Sequence, residues 1–378
     1  MSISTIFALI LTLLVACGIT ALLVPPVQRL CERRGWVAVP GGRRLHARPT
    51  PNVGGIAIFI GFIISLLGTF MLGRFDPVLQ RGPMELLRIV LLIIGATLLF
   101  LVMWRDDVVE LPPLPKFIAQ VAAALIAVGP YIWDHTRYPD VQGNLTEARG
   151  IVLTAFQFPF VHQISLWDVS PWLAIGATVL WLGWMSNTIN WSDGLDGMAA
   201  GVSMIAAVML ALHSIRLGQY TIALLPLSLA GACAGFLLFN FPPAKIFMGD
   251  SGAEVLGYLL GICAIIGGAK LATVVLVLGV PILDVAWLII SRTLSKRSPA
   301  QSGRDHLHFR LRDLGFSNRQ IVVFYYSLSV VFGLVGISEA DQRMKLVALL
   351  ILVLILAVSL LYVGRRNTLA AQNHGTGS

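Results

Sequence analysis

Apolar residues run along this chain in long blocks, separated by short segments that hold nearly all of the charge. Many blocks approach the roughly 20 residues that a helix needs to cross a hydrocarbon layer about 30 Å thick. They fall near residues 3–24, 53–73, 87–104, 116–132, 171–190, 197–213, 219–239, 253–267, 271–291, 321–337 and 345–363, which predicts about eleven transmembrane helices. The expected fold class is an all-α polytopic integral membrane protein, one transmembrane domain over residues 1–378. No polar stretch is large enough to be a separate soluble domain, and no internal repeat is visible.

The longest break on the predicted outer side is 133–170. It opens polar from Asp134 to Arg149 and then alternates apolar and polar from Ile151 to Phe160. That pattern suits either a short hairpin or a segment resting on the membrane with Trp167 and Trp172 at headgroup level. Gly257 and Gly261 have the spacing that lets two helices approach closely, read here as ordinary packing between spans.

Composition agrees with a lipid environment. The chain is 57% apolar and 12% charged, against about 25% charged in a soluble domain, and its mean hydropathy is +0.82. Orientation follows from Lys and Arg, because positive loops resist translocation. With the N-terminus outside and the C-terminus inside, 18 of the 27 cationic side chains fall on the inner side. They include Arg29, Arg33, Arg34, Arg43, Arg44, Arg48, Arg105, Lys116, Lys245, a basic loop at 293–320 and the tail at 364–378. The net charge of +8 is read as this bias plus attraction to anionic membrane lipids, with no nucleic-acid role. Leu14-Val15-Ala16-Cys17 resembles a lipoprotein cleavage site, but no positive charge precedes it and the apolar run continues to Val24, so a retained first span is expected. Cys17, Cys31, Cys233 and Cys263 have neither metal-ligand nor disulfide spacing and read as packing residues.

Polar residues beside spans are costly and therefore informative. Five clusters stand out, all on the predicted inner side. Trp104-Arg-Asp106-Asp107 is followed by Lys116; two adjacent carboxylates repel each other unless a metal or a lysine lies close. Asn187-Thr-Ile-Asn190-Trp-Ser-Asp193-Gly194-Leu195-Asp196-Gly197 closes one span and opens the next; in a helix Asn187, Asn190 and Asp193 would share a face. Asn240 through Lys245, Phe247, Asp250, Ser251 and Gly252 enters another span. There Asp250 and Ser251 could cap a helix whose N-terminus also favours phosphate. Asp284, three residues after Pro281, lies inside a span, where it is either half of an ion pair with a cation such as Arg292 or part of a catalytic site. Arg304-Asp305-His306-Leu-His308-Phe-Arg310 lies in the basic loop. Two histidines there raise Zn²⁺, but further ligands are absent nearby in the sequence, so a phosphate-binding cluster is preferred.

Oxygen ligands without thiolates select Mg²⁺ or Mn²⁺ over Zn²⁺. Carboxylates, cations and glycine-lined turns on one face suit phosphoryl transfer, in which a protein mainly positions groups and neutralises charge. A transporter or flippase would instead place ionisable residues near mid-membrane in paired repeats. A lipid phosphatase would rely on His with Arg and Lys.

From about Leu45 to Phe316 the chain resembles the polyprenyl-phosphate N-acetylhexosamine-1-phosphate transferase family. The resemblance is carried by Pro51 with Gly54-Gly55, Asp106-Asp107 with Lys116, the Asn187–Gly197 block, Asn240 to Gly252, and Pro281 with Asp284. It implies attack of a polyprenyl phosphate on the β-phosphorus of a UDP-sugar, releasing UMP and leaving a lipid diphosphate sugar, in a bacterial cytoplasmic membrane. It further implies that Asp250 and Asn190 bind Mg²⁺, and that Asp106 and Asp107 lie beside the attacking phosphate. Lys116, His306 and His308 would hold the diphosphate. Gly194, Leu195, Asp196, Asn240 and Phe247 would hold the uridine, with Asn187 and Asp193 also in the nucleotide site. A lipid phosphate has its second pKa near 6 and is already largely dianionic at pH 7, so Asp106 is expected to orient the nucleophile rather than to act as a base.

Two departures qualify the match. The run His306-Leu307-His308-Phe309 carries Phe309 where the N-acetylglucosamine branch usually has His, and it differs from the three adjacent His of the pentapeptide branch. Asn52 replaces a basic residue common before the Gly-Gly pair. The branch expected is the undecaprenyl-phosphate N-acetylglucosamine-1-phosphate transferases, with another UDP-N-acetylhexosamine or the UDP-N-acetylmuramoyl-pentapeptide as alternatives. A homodimer is compatible with the sequence.

Overall fold

The computed structural model describes residues 1–39, 49–136, 138–139, 145–146, 149–156, 164–266, 270–296, 306–338, 343–356 and 358. Arg43, Arg44 and Arg48, Arg304 and Asp305 of the last motif, and the tail 364–378 lie outside the described residues.

The first half of the chain forms helices α1 (Ile3–Arg34), α2 (Gly55–Gly68), α3 (Pro83–Val109), α4 (Pro113–Val128), α5 (Leu166–Val169) and α6 (Pro171–Ser192). The second half adds α7 (Met198–Arg216), α8 (Tyr220–Asn240), α9 (Gly249–Ile265), α10 (Leu271–Val277), α11 (Gly279–Leu294), α12 (Leu307–Asp313) and α13 (Asn318–Ser338). Three two-residue antiparallel ladders complete the description: β1 (Val37–Ala38) with β2 (Thr50–Pro51), β3 (Tyr138–Pro139) with β4 (Leu145–Thr146), and β5 (Ala155–Phe156) with β6 (Ile164–Ser165). The last two ladders lie within 133–170.

Among the described residues seven helices are long and apolar enough to cross a membrane, or eight if the bent pair α10–α11 is one span. The chain is thus an all-helical, multi-pass membrane protein. Two further predicted blocks coincide with α6 and α9, which fall outside that set; α9 has only 17 residues and includes Asp250 and Glu254.

Local chemistry explains the helix ends. Ser2 Oγ accepts from Thr5 N at 3.0 Å and starts α1, while Gly35 at φ 72° closes it. Pro83, Pro113 and Pro171 open α3, α4 and α6, where a missing N–H costs nothing. The 80° bend between α10 and α11 lies just before Pro281, which has no N–H to give the carbonyl of Val277.

Helix α9 is the hub. Nearly every residue of it is buried, and α2, α3, α6, α7 and α10 pack around it. Gly257 is needed for one of these approaches, since a Cβ there would stand 2.2 Å from the Met185 carbonyl of α6. The turns α3–α4, α6–α7 and α8–α9 bring the polar clusters around the first turn of α9, where hydrogen bonds join them.

Candidate active site

Neighbouring residues on a helix point about 100° apart, and the structure uses this to separate Asp106 from Asp107. Asp106 is buried. Its Oδ2 lies 2.8 Å from Lys116 Nζ and its Oδ1 accepts from Leu111 N at 2.6 Å. Asp107 instead spends its carboxylate on α9, accepting from Asp250 N at 2.6 Å, Ser251 N at 3.1 Å and Ser251 Oγ at 2.5 Å. The two carboxylates therefore have different protein partners: the lysine expected close to the pair lies against Asp106, and a helix N-terminus faces Asp107.

This also corrects the expected cap. Helix α9 is capped at Met248, which makes no side-chain cap bond, and Asp250 lies in its first turn. The orphan N–H groups expected to favour phosphate already face the Asp107 carboxylate, a stabilising anion at the positive end of the helix. Gly249 is required there: it has φ +73°, and a Cβ would meet Asp107 oxygens at 2.5 and 2.6 Å.

Lys116 also reaches Asp250, its Nζ lying 3.3 Å from Oδ2. One ammonium thus ties α4 to both α3 and α9. The opposing segment is held by backbone bonds, with Phe247 N donating to Pro51 O at 2.8 Å, and Gly54 N and Gly55 N donating to Phe247 O and Met248 O at 2.9 and 2.8 Å. These bonds account for Pro51, Gly54 and Gly55 as a clamp on the strand-like entry to α9.

The α6 end carries a network that sequence reasoning missed. Asn187 and Asn190 do lie within α6, while Asp193 stands just beyond its end as the C-cap. Asn190 Nδ2 donates to Glu254 Oε1 at 3.1 Å and Gln120 Nε2 donates to Glu254 Oε2 at 2.9 Å. Asn187 Nδ2 donates both to Gln120 Oε1 at 3.1 Å and to Gly183 O at 2.8 Å. Glu254 is 4% exposed. The signal in the sequence is spacing: Glu254 follows Asp250, and Gln120 follows Lys116, by four residues, which puts each pair on one helix face.

The turn into α7 is braced. Asn240 is buried, its Oδ1 accepting from Gly197 N at 3.0 Å and its Nδ2 donating to Ile246 O at 2.8 Å. Asp196 Oδ2 accepts from Ala244 N at 3.0 Å. Leu195 is buried in the main core. Asn240, one of the residues expected at the uridine, thus ties the two loops together through its side-chain amide. Asp193 is partly accessible but surrounded by protein; burial, then the charges of Asp250 and Asp196, push its carboxyl up to about 7.

At the other side of this turn, Asp284 Oδ2 lies 2.9 Å from His306 Nδ1, and Asp284 Oδ1 accepts from Leu307 N at 2.8 Å. Asp284 thus has a histidine ring and a backbone N–H as partners. His308 Nδ1 is 4.0 Å from Asp284 Oδ2, so the three residues offer atoms within 4.8 Å of one another. The third candidate ligand, absent near the histidines in the sequence, is supplied by a distant part of the chain. His308 is buried, with Nε2 lacking a hydrogen-bond partner among the described residues and facing Gly194, whose Cβ would stand 2.2 Å away. Burial pushes His308 down to about 4. In this buried state the ring favours its neutral form, which still has an N–H to offer a phosphate oxygen. Phe309 is buried against it, ring centroids 4.3 Å apart.

Residues 89–268 match the family model described as glycosyl transferase family 4, a stretch that runs from α3 past the end of α9. Over 350 residues the chain is 30% identical to a Bacillus subtilis protein named a probable undecaprenyl-phosphate N-acetylglucosaminyl 1-phosphate transferase, covering 91% of this chain and 88% of the relative. It is 31% identical over 342 residues to a decaprenyl-phosphate N-acetylglucosaminephosphotransferase of Mycobacterium tuberculosis, covering 83% and 78%. A phospho-N-acetylmuramoyl-pentapeptide-transferase of Moorella thermoacetica is 30% identical over 331 residues, covering 86% and 96%. With two helix-end carboxylates bridged by Lys116 at the entrance of α9, and similarity of this depth along most of its length, the chain belongs to glycosyl transferase family 4, among the polyprenyl-phosphate N-acetylhexosamine-1-phosphate transferases.

Proposed function

We propose that the protein transfers N-acetylglucosamine-1-phosphate from UDP-N-acetylglucosamine to undecaprenyl phosphate, releasing UMP and forming a lipid diphosphate sugar. The observation that carries this reading is the junction of three helix turns at α9, where Lys116 bridges Asp106 and Asp250 and Glu254 joins Gln120 to Asn190. Lys116 and Asp250 are the partly exposed members of the cluster, placed at the ends of spans where a lipid phosphate in the membrane and a nucleotide from water would meet. Ionisable residues at helix ends argue against a mid-membrane transport pathway.

The donor atoms fit a divalent cation of the Mg²⁺ type. With Asn190 Nδ2 committed to Glu254, its carbonyl oxygen is left as a donor, and the Asp250 carboxylate stands one turn before Glu254 on α9. An all-oxygen set of this kind suits a hard ion, so Asp250 and Asn190 would hold it. When bound, the ion would neutralise charge on the diphosphate oxygens.

The chain's own groups then have separate tasks. An oxygen of the lipid phosphate attacks the β-phosphorus, the bond from that phosphorus to the bridging oxygen breaks, and UMP leaves with that oxygen. One phosphoanhydride replaces another, which makes the step near thermoneutral. The nucleophile is already largely dianionic at pH 7, so no base is required. Asp106, immobilised by Lys116 and Leu111 N, orients that phosphate through Lys116. Asp107 holds Asp250 in place through the first turn of α9. Gly194 and Asp196 with the Phe247 ring form the nucleotide side of the site, and His306 with Asp284 lies at its edge.

The reading includes about eleven spans, an external N-terminus, a cytoplasmic active-site face and a bacterial cytoplasmic membrane. The positive-charge bias supports that sidedness. N-acetylglucosamine is favoured over the muramoyl pentapeptide by the names of two relatives and by the absence of three adjacent histidines in the run His306-Leu307-His308-Phe309. The test is mass-spectrometric detection of lipid product from purified protein, undecaprenyl phosphate, Mg²⁺ and a panel of UDP-sugars. Product from UDP-N-acetylglucosamine and none from UDP-N-acetylmuramoyl-pentapeptide is expected; the reverse preference would refute the assignment of the sugar.

A further inference from the structure

A buried carboxylate in the second turn of an apolar helix has to be explained by what it holds. Glu254 holds two amides. Each of its oxygens accepts from a different one, Asn190 Nδ2 and Gln120 Nε2. The second amide is itself fixed, because Gln120 Oε1 accepts from Asn187 Nδ2, and Asn187 Nδ2 also donates to the carbonyl of Gly183. The direction of every bond in this chain is therefore set by one backbone carbonyl. A carbonyl can only accept, so Asn187 must present its nitrogen; Gln120 must then present its oxygen to Asn187 and its nitrogen to Glu254.

We infer that Glu254 is a positioning residue whose acceptor-only carboxylate forces Asn190 to turn its amide nitrogen inward and its carbonyl oxygen toward the cation site of the transferase reading, on which this inference rests. The isosteric amide does not do this. A glutamine side chain in place of Glu254 would have one oxygen and one nitrogen to face two donors. If its oxygen faced Asn190, its nitrogen would confront the nitrogen of Gln120, which Asn187 and Gly183 hold in place. The arrangement that satisfies the fixed end gives the oxygen to Gln120 and the nitrogen to Asn190, and Asn190 then flips. Its nitrogen, which cannot ligate a cation, replaces its oxygen at the site.

The same logic predicts a rescue. Exchanging the two groups, E254Q with Q120E, restores every bond. The amide now on α9 donates to the carboxylate now on α4 and accepts from Asn190, and that carboxylate accepts from Asn187. The Asn190 oxygen faces the cation again, although the charge has moved to another helix.

The experiment is Mn²⁺ binding to the purified full-length protein, followed by the loss of the free-ion EPR signal, with thermal unfolding in detergent as a control. Outer groups that orient metal ligands change affinity by about 10- to 100-fold. E254Q is expected to weaken Mn²⁺ binding at least about tenfold, and E254Q/Q120E to return to within about threefold of wild type. In an Asn190→Ala background E254Q should add nothing. Wild-type affinity in E254Q, or a double exchange as weak as E254Q alone, would overturn the inference. If E254Q does not fold, the double exchange decides alone, since it keeps all the bonds: near wild-type affinity supports the inference and a loss of about tenfold refutes it. Transferase turnover by the wild type, measured in parallel, separates the two failures, because an inactive wild type with any UDP-sugar would sink the function while an active one with an unaffected E254Q would sink only this step.

Discussion

Ser251 gives its hydroxyl to the Asp107 carboxylate at 2.5 Å, and its backbone N–H points to the same oxygen at 3.1 Å. Together with Asp250 N, these bonds make Asp107 an anion seated in the N-terminus of α9. It is a group that holds Asp250 where Lys116 can reach it. Asp107→Asn would set an amide N–H₂ against donors. Loss of part of a charge-assisted cluster costs about 1–3 kcal/mol. The expected outcome is a clearly lowered unfolding midpoint in detergent together with lost activity, whereas Ser251→Ala should show a smaller fall in both.

Asp106 is expected to behave differently. Its carboxylate is held by Lys116 and Leu111 N, and the nucleophile needs no base. Asp106→Asn should lower turnover about 100-fold or more at every pH from 6 to 9, with little change in the unfolding midpoint. A pH–rate profile checks this; recovery to near the wild-type rate at high pH would instead make Asp106 the base.

The residues that speak from sequence are those whose cost in lipid is high and whose alternatives are few. Asp106, Lys116, Asn190 and Asp250 stand out because they interrupt apolar blocks, and hydrogen bonds around the first turn of α9 bring them together. Glu254 and Gln120 escape such a reading because each is a single polar residue within a span, and only the i, i+4 relation to Asp250 and Lys116 marks them. The division between Asp106 and Asp107 is not legible either. It depends on which helix packs against which side of α3, a tertiary fact that adjacency in sequence does not contain. Asp284 meets His306 across a gap of 22 positions for the same reason. Most of the helical blocks are legible because their length is set by the membrane itself, but the 80° bend between α10 and α11 inside one of them is not.

Gly194 tests the packing of the nucleotide-side turn. A Cβ there would stand 2.2 Å from His308 Nε2, and His308 is too buried to yield without moving α12 or its Asp284 neighbour. Gly194→Ala should reduce kcat/KM for the UDP-sugar about tenfold or more, since misplacement near 1 Å can cost about 100-fold. The unfolding midpoint should fall as well, because the buried His308 has to shift to make room. Steady-state kinetics over a range of UDP-sugar concentrations measures it.

Asp193 gives a pH signature. Its carboxyl is pushed up to about 7 by burial and by the charges of Asp250 and Asp196, so between about pH 4 and 7 the folded chain retains a proton that the unfolded chain has released. Its contribution to stability therefore declines as pH rises through that window and levels off above 7. A nearby cation favours the ionised form, so stabilisation by Mg²⁺ should be larger at pH 8 than at pH 6. Asp193→Asn should narrow that difference; thermal unfolding with and without Mg²⁺ at the two pH values reads it.

The most direct measurement is UMP release by purified protein in detergent. UMP is expected only when UDP-N-acetylglucosamine, undecaprenyl phosphate and Mg²⁺ are all present, and none from Asp250→Ala. No UMP from folded wild-type protein with any UDP-sugar, or UMP formed equally well without the lipid phosphate, would contradict it.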